Sequence, residues 1–401
     1  MPSVPRRSRN WVPVLVVLLP VLLVAGIWLG GHPDDLPGPV RDTLVADSQG
    51  RLYDEAMGII ERDYYRPVNE RALLDTSLDS AVSSLHDRFS NYFSPKDYQD
   101  FSDSTDGAFT GVGMTVEKDP VGLKIISVFA NSPAKRGGLA PGDLITAVDG
   151  HSLEGSSSDE ATTRIKGPEG TTVSLTLRHD GTDRTVKLER QRVEIPVVES
   201  SMKRAGGQKV AYVRLSSFTS GAHGAVGSAV RRLLGQGAKG VVLDLRNNGG
   251  GLLNEAVLIS SIFIPDGKIV STRGRARPEH TYDATGDAIS GKIPVTVLVN
   301  RQTASASEIV TGSLQDRHRA TVVGTRTFGK GVFQEVERLS NGGALDITVG
   351  EYFLPSGRNL GGGGVKPGSG ITPDVQAPDD PKTKRDETLQ AGLKALARAG
   401  A

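Results

Sequence analysis

The sequence predicts an α/β protein of several domains, and three observations carry that prediction. An uncharged, mostly apolar run at 11–31 follows three arginines, Arg6, Arg7 and Arg9. At Thr110 the apolar period changes from helical to alternating. From Ile195 onward, buried apolar strands alternate with amphipathic helices. The expected organisation is a basic flank and membrane anchor (1–31), a linker and helical region (32–105), a compact β domain (106–191), a layered α/β core (192–381) and a helical tail (382–401).

The anchor is long enough to cross a bilayer, which takes ~20 apolar residues. The basic flank should stay in the cytoplasm and leave the rest outside, at a bacterial cell membrane. A cleavable signal peptide is the rival reading, but Ile27-Trp28-Leu29-Gly30-Gly31 offers no small-x-small cleavage site. Residues 32–47 hold three prolines and read as a linker. Between 48 and 103, Leu52, Ala56, Ile59 and Ile60, then Leu73, Leu74, Leu78, Ala81, Val82 and Leu85, recur at helical spacing. Those apolar faces pack on each other or on a second copy of the chain, so a homodimer is an expected partner.

Strands are predicted at 111–116, 123–128, 143–148, 172–177 and 184–188, with a short helix after Asn131 and another at 159–166. The core follows with strands at 210–215, 240–245, 295–299, 320–323 and 345–353 and helices at 222–234, 256–263 and 307–316.

Composition removes several classes of function. The charges balance, 47 basic against 46 acidic, so no basic field points to nucleic acid. There is no cysteine, which excludes thiol catalysis and disulfides. The seven histidines are scattered without metal-ligand spacing, so neither a metal site nor any other cofactor is expected.

The chemistry gathers at three places. Thr303-Ala304-Ser305-Ala306-Ser307-Glu308 follows a buried strand and opens a helix. Ser305 there is either a helix cap, paired with Glu308 in a capping box, or a nucleophile presented at the carboxyl edge of a sheet. The Ala306 N–H would then face a developing oxyanion. A serine needs a base. His318 is close in sequence but sits in the charged corner 315–319, whereas Lys330 lies in Thr327-Phe328-Gly329-Lys330-Gly331, followed by Val332 and Phe333. A lysine in an apolar pocket loses proton affinity and can serve as a base. The third place is Asp244-Leu245-Arg246-Asn247-Asn248-Gly249-Gly250-Gly251, where glycines at a strand end can aim N–H groups, such as those of Gly250 and Gly251, at a carbonyl. Read alone, that cluster is also an ordinary tight turn.

Together, in this order and spacing, the three motifs resemble those of the C-terminal processing peptidases, or tail-specific proteases, over about 48–375 including Ile371-Thr372-Pro373-Asp374-Val375. The resemblance implies a ClpP/crotonase-like core with Ser305 as nucleophile, Lys330 as base and Gln334 supporting the lysine. Glu308 and Asp316 match polar positions and read as structural. Thr303 stands where a serine is common, and Asn247-Asn248-Gly249 replaces a frequent x-N-P. The 106–191 segment resembles a PDZ domain, with Thr110-Gly111-Val112-Gly113-Met114 as the loop that captures a peptide's terminal carboxylate; Lys166 or Arg164 would add positive charge there.

The expected function is a membrane-anchored extracytoplasmic serine endopeptidase that recognises protein substrates by their C-terminal tails and cuts through a Ser/Lys acyl-enzyme. The alternative is a catalytically inactive PDZ-bearing scaffold, against which the intact nucleophile, base and glutamine speak. A crotonase-like acyl-CoA enzyme shares the glycine-built oxyanion logic but explains neither the PDZ-like segment nor the anchor.

Overall fold

A computed structural model describes Trp28 and residues 48–399. The expected membrane anchor at 11–31 lies outside these residues except for Trp28, and among the described residues no helix is long and apolar enough to cross a membrane. The chain forms two compact units, 1–80 and 81–401.

In the first unit the described residues form the helix Ser48–Asp63 and most of the helix Glu70–Ser83. Leu52, Ile59 and Ile60 of the first helix and Tyr64 and Tyr65 after it are exposed, so the apolar stripe that predicted the first helix is not buried within the unit, whereas Leu73, Leu74 and Leu78 of the second are half-buried.

The second unit holds the β domain and the core. In the β domain, strands Met114–Asp119, Gly122–Val128, Leu144–Val148, Thr172–His179 and Thr182–Glu189 form one antiparallel sheet, extended by His151–Ser152. Its core packs Leu123, Ile125, Ile145, Val173, Leu175 and Leu177 with Ile165 of the helix Ser158–Ile165. That helix starts on a full capping box between Ser157 and Glu160. A separate two-stranded ribbon pairs Ala108–Gly111 with Gln191–Glu194, bringing the domain's two ends together. The predicted strand at 111–116 is thus two strands, broken at Val112 and Gly113, because Gly113 adopts φ +82°.

The core has a six-stranded sheet in the order Val198–Ala205, Gln208–Leu215, Val241–Asp244, Val295–Val299, Thr321–Gly324, Val375–Gln376. Only the first pair is antiparallel. Val241–Asp244 and Val295–Val299 are wholly buried and β-branched-rich, as parallel strands covered on both faces must be. Helices Ala222–Gly235, Leu253–Ser261 and Ala306–Asp316 pack on one side. The tail helix Glu387–Ala399 packs on the other, through Leu396.

A second, antiparallel sheet joins Asn91–Phe93, Val332–Arg338, Ala344–Phe353, Lys268–Arg273 and His280–Asp283. Residues 91–93 fall in the region expected to be wholly helical. They are instead a strand, set against Ala344–Asp346. The helix Pro95–Asp106 follows, capped by Ser94 and closed by Gly107 in the left-handed conformation.

Candidate active site

Three parallel strands of the core end at one edge, and each delivers one of the three motifs. Val241–Asp244 runs into 247–251, Val295–Val299 into 300–305, and Thr321–Gly324 into 325–330. Parallel strands place their carboxyl ends together, which is where open α/β sheets bind ligands. Hydrogen bonds then stitch the loops: Thr303 Oγ1 donates to the Leu245 carbonyl at 2.9 Å, Ser307 Oγ to the Asn248 carbonyl at 3.0 Å, and the Phe328 N–H to the Thr303 carbonyl at 3.0 Å.

Ser305 sits at the N-cap of Ala306–Asp316 with φ +57° and ψ −120°, a backbone region that costs about 1–3 kcal/mol for a residue with a Cβ. Glu308 helps hold it there. Its Oε2 accepts the Ser305 N–H at 3.0 Å, and the Glu308 N–H donates to the Ser305 carbonyl at 2.7 Å. The same carboxylate reaches the lysine loop. Oε2 accepts the Lys330 N–H at 3.0 Å, and Oε1 accepts the Gly329 N–H at 2.8 Å and the Thr327 hydroxyl at 2.5 Å. Glu308 is fully buried. Burial pushes its pKa up, against four donors that favour the ionised form.

A cavity of about 400 Å³ opens on this edge. Ser305, Ala306, Gly251, Lys330 and Gln334 line it, with Leu252, Ile309 and Phe333 supplying apolar wall. Lys330 Nζ donates to Gln334 Oε1 at 2.7 Å and lies 4.4 Å from the Phe89 ring centroid. Gln334 Nε2 in turn donates to Thr348 Oγ1 at 2.8 Å. Burial lowers the lysine's pKa below its usual value; Asp346, Asp87 and Glu308 oppose that shift and Arg88 adds to it. The structure therefore brings Ser305 and Lys330 to one cavity while the ammonium nitrogen is held by glutamine.

Ala306 and Gly251 line the cavity, and among the described residues neither of their N–H groups is donated to an acceptor. Gly250 departs from expectation. Its N–H is engaged by Asn248 Oδ1 at 2.9 Å, because the carboxamide folds back over its own turn. What Gly250 supplies here is room: a Cβ would lie 2.8 Å from Ser305 Cβ and 2.9 Å from the Ala304 carbonyl oxygen. His318 lies elsewhere, in a polar cleft with Asp316, Arg319 and Arg358. Asp316 anchors the helix end, accepting from the Ser356 N–H and from Arg358.

A second cavity, of about 390 Å³, runs beside Gly111, Val112, Gly113 and Met114 and is walled by Thr162, Ile165 and Lys166. The N–H groups of Val112 and Gly113 have no acceptor among the described residues. Lys166 lines this groove and lies 3.9 Å from Asp100, whereas Arg164 is not part of the wall. Ser104, on the helix Pro95–Asp106, lines both cavities.

Sequence reasoning did not reach Phe89, Asp87 and Asp346, which act on Lys330, or Thr348, which holds Gln334; pairing between distant segments rather than a motif brings them there. The wider role of Glu308 was half visible, since its spacing from Ser305 signals only the cap.

The profile of peptidase family S41 matches residues 209–377, and that of the PDZ domain matches 108–189. A carboxyl-terminal-processing protease of Synechocystis sp. is 34% identical over 406 residues, covering 98% of this chain and 94% of that protein. A probable CtpA-like serine protease of Staphylococcus aureus is 34% identical over 351 residues, with 84% of this chain and 70% of that one covered. Among solved structures, the photosystem II D1 C-terminal processing protease superposes with a TM-score of 0.50 at 29% identity, over 89% of this chain and 98% of that one.

Proposed function

The chain belongs to peptidase family S41, within the carboxyl-terminal-processing serine proteases, and carries a PDZ domain; from this we propose that it is a membrane-anchored, extracytoplasmic endopeptidase working through Ser305 and Lys330. The observation that carries the reading is that Ser305, Lys330, Ala306 and Gly251 line one cavity, the last two with N–H groups that no acceptor among the described residues engages.

In this reading Lys330, once neutral, turns from Gln334 to take the proton of Ser305 Oγ as it attacks the scissile carbonyl. The N–H groups of Ala306 and Gly251 hold the oxyanion, joined by Gly250 if Asn248 releases its amide. Lys330 passes the proton to the leaving amine, and the acyl-enzyme forms. Water, deprotonated by the same lysine, then hydrolyses the ester. Gln334 holds the lysine between turnovers.

The PDZ groove supports recognition of a substrate's carboxyl end: free amides at Val112 and Gly113 suit a carboxylate, and Ile165 and Met114 suit an apolar final side chain. Three arginines before the apolar run 11–31 support an anchor with the peptidase outside the cytoplasm. The exposed apolar side chains of Ser48–Asp63 support a homodimer.

The test is cleavage, by the full chain, of an unstructured protein with an apolar C-terminus, presented with its carboxyl end free or amidated. Tail recognition requires the amidated form to be cut more slowly; equal rates remove it. Protection of the peptidase from added protease in intact cells, lost in spheroplasts, is the outcome expected for the extracytoplasmic placement.

A further inference from the structure

Strands Val332–Arg338 and Ala344–Phe353 pair so that Gln334 faces Thr348 and Val336 faces Asp346. Side chains alternate along a strand, so Asp346 and Thr348 share one face, and Gln334 and Val336 stand opposite them on that face. This face walls the catalytic cavity, where Gln334, Val336 and Asp346 stand with Ser305 and Lys330. Asp346 is half-buried and has no part in the acyl transfer described above.

We propose that Asp346 is a positioning residue for the dyad: the counter-ion that holds protonated Lys330 on the Gln334 side of the cavity and sets the pH at which the lysine becomes a base. The proposal rests on the Ser305/Lys330 reading.

Among the described residues, the charged groups that act most on the lysine come from three elements. Helix Ala306–Asp316 contributes Glu308, whose two oxygens are engaged by four donors of the site's own backbone and hydroxyls. The segment before Asn91–Phe93 contributes Asp87 and Arg88. Asp87 is held by the Phe89 N–H and the Ser90 and Thr348 hydroxyls; these bonds outweigh its burial and keep its pKa low. Arg88 opposes a second cation nearby, and its guanidinium lies over the Phe89 and Phe328 rings. Asp346 is different, since its hydrogen bond comes from the neutral Asn91. Among the acidic groups acting on the lysine, it exerts the largest attraction. Burial raises its own pKa to about 6, the charge of Asp87 adding to this while Lys330 and Asn91 oppose it. At neutral pH it is therefore ionised and favours the ammonium form. Removing that charge must lower the proton affinity of Lys330 further.

The experiment is the pH dependence of kcat/KM for the full chain on a tail-bearing protein, comparing wild type with Asp346→Asn, Asp346→Glu and Lys330→Ala. Asp346→Asn is expected to move the acidic limb toward lower pH by about one unit, and Asp346→Glu to restore it. Asp346→Ser provides the same reading should the asparagine variant misfold, and capture of Ser305 by a fluorophosphonate follows the limb without tail binding. A limb that superimposes on wild type, with only the plateau lowered, overturns the proposal while Lys330→Ala stays inactive. Lys330→Ala cutting as fast as wild type removes the dyad itself, and the proposal with it.

Discussion

Ser305 and Lys330 share one acceptor atom: the backbone N–H of each donates to Glu308 Oε2 at 3.0 Å. A nucleophile and a base twenty-five residues apart are therefore registered through a single oxygen, at the level of backbone rather than side chain. The strained Ser305 backbone persists because this carboxylate and the helix's first turn over-determine it.

Replacing Glu308 by alanine leaves four donors without their acceptor in a buried site. Unfolding free energy should fall by about 4 kcal/mol or more, since bonds to a charged group contribute about 1.5–3 kcal/mol each. Where the variant still folds, kcat should fall by about 100-fold from misplacement of the dyad. Glu308→Gln, which keeps one acceptor oxygen, should lie between the two. Denaturant melts and single-turnover rates on the same preparations check both values.

Two adjacent glycines should respond in opposite ways. An alanine at Gly250 must hold φ +105° with its Cβ 2.8 Å from that of Ser305, so Gly250→Ala should lose about 2 kcal/mol or more and nearly all activity. A Cβ at Gly249 meets nothing within 4 Å, and Gly249→Ala should stay within about 0.5 kcal/mol of wild type. Equal melting temperatures for the two variants would contradict the packing described.

Arg246 ties the strand end to the tail helix. It pairs with buried Asp244 at 2.6 Å and with Asp386 at 2.7 Å, while Tyr212 donates to Asp244 at 2.8 Å. Arg246→Ala strands the Asp244 carboxylate and should cost about 3–5 kcal/mol. The residues Glu387–Ala399 should then lose amide protection ahead of the sheet, which hydrogen exchange reads directly.

The pH dependence has a fixed sign. Burial places the folded pKa of Lys330 below the ordinary lysine value, and only the neutral amine accepts a proton. Activity should therefore rise with pH through that lowered pKa and reach its plateau before an ordinary lysine would titrate. Lys330→Arg should be inactive at every pH, because a guanidinium stays protonated. A profile that falls as pH rises over this range would show that the lysine does not act as the base.

How far the sequence reaches is visible in particular residues. The strand Val295–Val299 was readable to its ends, because five consecutive β-branched or aliphatic residues leave no other element of that length. Val332–Arg338 was not, since Gln334, Glu335, Glu337 and Arg338 leave it neither a continuous apolar run nor a strict alternation and its partner strand supplies the order. Asn91–Phe93 is three residues long and pairs with a strand some 250 positions away, beyond any local period. The site divides the same way. Ser305, Lys330 and Gln334 stand in local motifs, whereas Phe89 reaches the lysine through that long-range pairing and Asp346 through the pairing of Val332–Arg338 with Ala344–Phe353. Gly250 carried a readable glycine signal, but the turn of Asn248 that engages its N–H did not.

The most direct measurement is the cleavage rate of one tail-bearing protein by wild-type chain, Ser305→Ala and Lys330→Ala, each first shown to unfold at the wild-type temperature. The account predicts cutting by wild type and none by either variant. Cutting by either variant at the wild-type rate would contradict it.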